Sequence, residues 1–228
     1  MTKSKLQVRA TEEMTPLQRG RCQNRYLKEA LEHARPLLKK HDLKINSHWL
    51  FRVEGAWFFS AFIRATASQH GFEFRAEISV TVKPMAFDPI FWHASHLLDN
   101  INKPVSFWCN AVFMLEGETF PSSILASEGR SPEYFAPLLL QQTAQAIEDV
   151  KCAIGGRTYS QLLEDNGHPK LQITNYVTAL MSDGRQEDAL RCIEEELALY
   201  ADPAVNALLE WRDLITDGRL KGILERFS

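Results

Sequence analysis

Motifs that announce a chemistry are missing from this 228-residue chain. It has no GxGxxG after a strand, no GxxxxGK followed by Ser or Thr, no GxSxG elbow and no HExxH, so nucleotide cradles, the α/β-hydrolase nucleophile and the zinc-protease helix are not signalled. Its four cysteines, Cys22, Cys109, Cys152 and Cys192, stand too far apart for a CxxC or any zinc spacing. Scattered in this way they are expected as reduced core residues. Positive charge is not in excess either: 26 Lys and Arg face 29 Asp and Glu, for a net charge of −3. Phosphate-neutralising binding calls for the opposite balance, so nucleic acid is not expected as a partner. Long apolar runs are absent, and the aromatic stretch from Trp57 to Ile63 is broken by Arg64. Met1 to Met14 is polar, without the apolar region of a secretory signal. The chain is therefore expected in the cytoplasm, off the membrane, with no cofactor and no enzymatic role.

What is present is enough apolar material for a core. Hydrophobic residues make up 45% and charged residues 24% of the chain, the balance of a folded globular protein. Thr15-Pro16 opens a helix with apolar residues from Leu17 to Ala34 at helical spacing, and Pro36 kinks it or starts a second piece ending near Asp42. Three strands follow at Leu50–Glu54, Trp57–Ala67 and Phe72–Lys83, with Gly55 marking a turn. The third strand alternates. Phe72, Phe74, Ala76, Ile78, Val80 and Val82 point one way; Glu73, Arg75, Glu77, Ser79, Thr81 and Lys83 point the other. Asp88-Pro89 caps a helix, Val105–Glu116 reads as a fourth strand, and Ser131 starts a helix that Gly155-Gly156 ends. Beyond Leu171 only helical patterns remain. The fold class is α+β: an antiparallel sheet of about four strands packed with helices, then an all-α segment. The expected organisation is a flexible arm at 1–14, a sheet domain at 15–156, a linker at 157–170 and a helical subdomain at 171–228.

Candidate sites are few. His93 and His96 share a helix face at i, i+3, with Asp99 three residues on; they are the only metal candidates, and zinc needs more convergence than this spacing supplies. Assembled from strand alternation, the outward sheet face collects Arg52, Glu54, Phe58, Phe62, Arg64, Glu73, Arg75, Glu77, Trp108, Val112 and Met114. Aromatic, Met and Arg groups ringed by charge are the composition of a protein interface. A helix layer over both faces would instead make those aromatics core, which suits strands apolar on both sides. Glu194 and Glu195 offer an acidic helix face.

Two resemblances attach to these residues. The stretch from Leu31 to Gly156, with its aromatic hairpin around Phe51, Trp57 and Phe59 and its alternating strand to Val82, resembles small bacterial proteins of the DUF4304 type. Gly184, Ala189, Ile193 and Pro203 resemble one tetratricopeptide-like hairpin. The first likeness implies an immunity partner of a secreted bacterial toxin, such as a type VI secretion effector. On that basis the expected function is an antitoxin-like binding protein that occludes a toxin's active site. The alternatives are an enzyme built on His93, His96 and Asp99, or an adaptor that uses its C-terminal helices.

Overall fold

The structure is a computed structural model that describes residues 14–69, 73–109, 117–167, 173–199 and 205–227. Residues up to 13, Phe72, Val112, Met114 and Pro203 lie outside the described residues. Helix α1 (Pro16–Ala34) starts at a reciprocal capping box: the Thr15 hydroxyl accepts from the Gln18 N–H, and the Gln18 side chain accepts from the Thr15 N–H. Pro36 falls near the start of a 3₁₀ helix, Arg35–His41, which stops where Asp42 turns left-handed at φ 51°. Strands β1 (Lys44–Asn46), β2 (Trp49–Glu54), β3 (Trp57–Ala67) and β4 (Phe74–Pro84) come next. Helix α2 (Phe87–Ala94) is followed by 3₁₀ turns at Leu98–Asn102 and Val105–Cys109. Strands β5 (Glu118–Thr119) and β6 (Ser123–Ala126) precede helices α3 (Pro132–Ile154), α4 (Tyr159–Asp165), α5 (Ile173–Ser182), α6 (Gln186–Leu199), α7 (Val205–Thr216) and α8 (Arg219–Phe227).

The α+β class expected from the pattern is the one found. The strands lie in the order β1-β2-β3-β4-β5, and β6 also pairs with β4. Antiparallel registers join Ile45 to Leu50, Val82 to Glu118, and Glu77 to Ile124. The expected fourth strand is not one over Val105–Cys109, which coils as a 3₁₀ turn with Trp108 and Cys109 buried. Apolar residues destined for a core satisfy a strand pattern and a buried turn equally well, so periodicity did not separate them. The sheet is instead completed by β5 and β6, in a stretch whose Pro and Ser content reads as loop. Gly117 leads into β5 because the backbones touch: a Cβ there would lie 2.6 Å from the Val82 carbonyl oxygen. Residues 157–170, expected as a linker, contain α4, whose Tyr159, Ser160, Leu162 and Leu163 are buried.

The chain forms two compact units, and β2, β3 and β4 contribute to both. The first comprises Met1–Arg52, Ser60–Val80 and Phe120–Val150. Here Tyr26 of α1 stacks on Phe74 at 3.9 Å and meets Phe135 of α3 at 5.5 Å. Its hydroxyl donates to the Arg130 carbonyl at 2.8 Å. The inward side chains Ala61, Ile63, Ala76 and Ile78 are buried, as are Leu139, Leu140 and Ile147 of α3.

The second unit comprises Val53–Phe59, Thr81–Thr119 and Lys151–Ser228. Its core joins Ala86, the cap of α2, and Ile90 and Ala94 of that helix to Val177, Leu180, Met181, Ala189, Ile193, Trp211, Leu214 and Ile223 of the C-terminal helices. The Trp211 indole N–H donates to Thr178 Oγ1 at 3.1 Å. The α4 amides of Tyr159 and Ser160 donate to the Asp183 carboxylate at 3.3 and 2.7 Å, which ties α4 to the turn after α5. Asp88, expected as the cap of α2, sits inside its first turn; Ala86 holds the cap position without a side-chain bond. The Asp88 carboxylate instead meets Lys83 Nζ at 2.5 Å, with the two side chains 0% and 5% exposed. Lys83 also reaches the Trp108 carbonyl at 3.4 Å and lies over the Phe58 ring.

A buried ion pair gives little net stability, but removing one partner strands the other charge in a low dielectric. Asp88→Ala should therefore destabilise the chain by about 3–5 kcal/mol, and the double change Lys83→Met with Asp88→Leu by much less. Urea unfolding of the three proteins measures both.

Candidate functional site

The direction in which β2 and β3 present their side chains is fixed by the turn between them. The chain reverses over Gly55-Ala56, with Gly55 at φ 56°. A two-residue reversal puts Glu54 opposite Trp57, and alternation then carries through both strands. Two contacts show the register: the Ile63 N–H donates to the His48 carbonyl at 2.9 Å, and the Trp49 and Phe62 rings lie 4.9 Å apart. Trp49 thus shares the outer face with Phe62, while Arg52 and Glu54 point to the opposite side. Their expected place on the outer face is corrected accordingly. Arg52 is buried and its guanidinium meets Glu148 of α3 at 2.5 Å. Glu54 pairs with Lys151.

The outer face in the first unit is built by β3, β4 and β6. The Ser68 N–H donates to the Glu73 carbonyl at 2.8 Å, and this pairing places Arg64 beside Glu77, whose carboxylate accepts from the guanidinium. Arg64, Thr66, Glu73 and Arg75 are exposed; Phe62, Glu77 and Ser79 are partly so. From β6, Ile124 lies opposite Glu77 with 68% of its surface exposed. Ser79 and Ser122 share a hydroxyl hydrogen bond at 2.8 Å. Arg64, Glu73, Arg75 and Glu77, all picked from the alternating strand, are brought together here. Trp108 is not available as a surface group: it is 2% exposed, edge-on to Trp92 at 5.6 Å and near Phe58 and Phe227. Glu194 and Glu195 are exposed on α6, in the second unit.

One end of the outer face opens into a polar cleft of about 310 Å³, lined by Arg19 of α1 and by Thr66, Ala67, Ser68, Gln69, Glu73 and Arg75. Sequence inspection missed Arg19, Thr66, Ser68 and Gln69, because no local pattern links a helix to the far end of a hairpin. Trp49 was missed for want of one residue of strand, and it is the alternation through Phe51 that would have found it.

The metal candidates do not converge. Helix α2 ends at Ala94, so the i, i+3 geometry fails; His96 adopts φ 56° and pairs with Glu210 at 3.3 Å. Among the described residues no group of three or more His, Cys, Asp and Glu side chains is placed to hold a metal ion. Burial pushes the Cys109 thiol up to about 12, despite nearby Lys83, far from a nucleophilic thiolate. The Tyr159 hydroxyl is raised too, chiefly by burial, and it accepts the Glu118 N–H at 2.8 Å. Among the described residues no helix is long and apolar enough to cross a membrane. Comparison with protein-family models, curated proteins and solved structures gives no match.

His93 is held below its usual range, first by burial and then by the charges of Arg219 and Arg226. A base whose pKa is lowered by folding binds fewer protons in the native state, so stability is lost as pH falls below the unfolded value of about 6.5. Unfolding free energies measured between pH 7 and pH 5 should show this loss, and His93→Leu should flatten that part of the profile.

Proposed function

We propose that this chain is a cytoplasmic protein-binding module, an immunity protein that neutralises a cognate secreted toxin by covering the toxin's active site. The observation that supports it is a patch of the outer face where half-buried Trp49 and Phe62 and exposed Ile124 stand among Arg64, Arg75, Glu73 and Glu77. Apolar anchors within a ring of charge make the centre and rim of a recognition surface. The ion pair of Arg64 with Glu77 is solvent-exposed enough to contribute about 0–1 kcal/mol to the fold. Its charges are thus better suited to choosing a partner than to holding the sheet. Glu73 and Glu77 suit a basic toxin cleft by charge complementarity. The toxin class comes from the resemblance of the sheet region to bacterial immunity proteins.

The test isolates the tagged chain from its native cell and takes the stoichiometric protein that co-purifies as the candidate toxin. Purified toxin and chain should form a stoichiometric complex that suppresses the toxin's activity. Trp49→Ala and Arg64→Glu should each weaken that complex at least about tenfold, the loss of a central contact, while the urea midpoint moves little. Full inhibition by both variants, or no complex at all, contradicts the proposal.

A further inference from the structure

We propose that the cleft between α1 and the far end of the β3–β4 hairpin binds an oxyanion, and that its source is a carboxylate on an acidic segment of a partner protein. Two arginines from separate elements line it, Arg19 from α1 and Arg75 from β4. Neither has an ion-pair partner among the described residues, whereas Arg64 is matched by Glu77. Planar guanidiniums bind carboxylates and phosphates through parallel hydrogen bonds, and two from different directions enclose an anion that one on a free surface does not hold.

Neutral donors complete the lining. Ser68 Oγ accepts the Glu73 N–H at 3.3 Å, which leaves its hydroxyl able to donate, and Gln69 adds an amide. Thr66 Oγ1 stands 3.5 Å from the Arg75 carbonyl, a weak bond that a ligand oxygen can replace. Glu73 decides the source. This acidic residue lines the same cleft, so a bare multivalent anion meets repulsion there. An acidic peptide brings backbone N–H donors for Glu73 together with side-chain carboxylates for the arginines. The oxyanion chemistry stands on the cleft alone; only the protein source rests on the proposed function.

The experiment is a nitrogen–proton correlation titration of the full chain with capped hexaglutamate, with sodium phosphate, and with sodium chloride at matched ionic strength. The amides of Thr66, Ser68, Gln69 and Arg75 should shift saturably with hexaglutamate, at lower concentration than with phosphate. Arg19→Gln and Arg75→Gln should each weaken binding about tenfold, the loss of one charge-assisted hydrogen bond, while Lys39→Gln on the 3₁₀ helix leaves it unchanged. Shifts that never saturate beyond the chloride control, or equal weakening in Lys39→Gln, overturn the site. Tighter binding of phosphate overturns the protein source. Neither failure touches the sheet-face reading, which is measured on the toxin complex through Trp49.

Discussion

Side-chain alternation in the β2–β3–β4 meander, set in phase by the two-residue reversal at Gly55-Ala56, determines what the first unit shows to solvent. Each strand has only two faces, so a single turn residue more or less would exchange Arg52 for Phe51 on β2 while β3 kept its phase. In the phase the chain adopts, Ala61, Ile63, Ala76 and Ile78 are buried, and the hydrophobic gain from that side holds the phase against the alternative. The outer face then carries the aromatic and charged groups by consequence. Arg52, on the buried side, is tolerated because Glu148 of α3 meets it.

The second unit depends on a different balance. Lys83 belongs by alternation to the outer face of β4, yet it is buried and joined to Asp88. Two buried charges are unstable apart and acceptable together, so the pair couples the end of β4 to the first turn of α2. Through α2 the same unit gains its apolar core, since Ile90 and Ala94 pack with Leu180, Ile193 and Trp211. The C-terminal helices therefore share their core with a helix contributed from the middle of the chain.

Much of this was legible in the sequence where local chemistry is decisive. The helix start at Thr15-Pro16, the alternating strand at Ala76–Val82 and the Gly155-Gly156 stop sit where residue type alone puts them. The inward stripes of α5 and α6, with Val177, Leu180, Ala189 and Ile193 buried, were legible for the same reason. Where tertiary context decides, the sequence misled. Val105–Cys109 has a strand's composition and folds as a buried turn. Ser123–Ala126 looks like loop and becomes a strand because β4 offers it a free edge. The inversion of Arg52 and Glu54 had a local signal, the length of the Gly55-Ala56 turn, which strand patterns alone do not weigh. The Arg19–Arg75 cleft had no such signal, since it joins residues far apart in the chain.

The central claim is that the outer-face patch of Trp49, Phe62, Arg64 and Ile124 meets solvent, while Ala61, Ile63, Ala76 and Ile78 on the opposite face are closed off. Hydroxyl-radical footprinting of the free chain, read residue by residue by mass spectrometry, tests it most directly. The account predicts rapid oxidation of Trp49, Phe62 and Ile124 and strong protection of Phe59, Ile63 and Ile78. The inverse pattern, or equal protection of both sets, would contradict it.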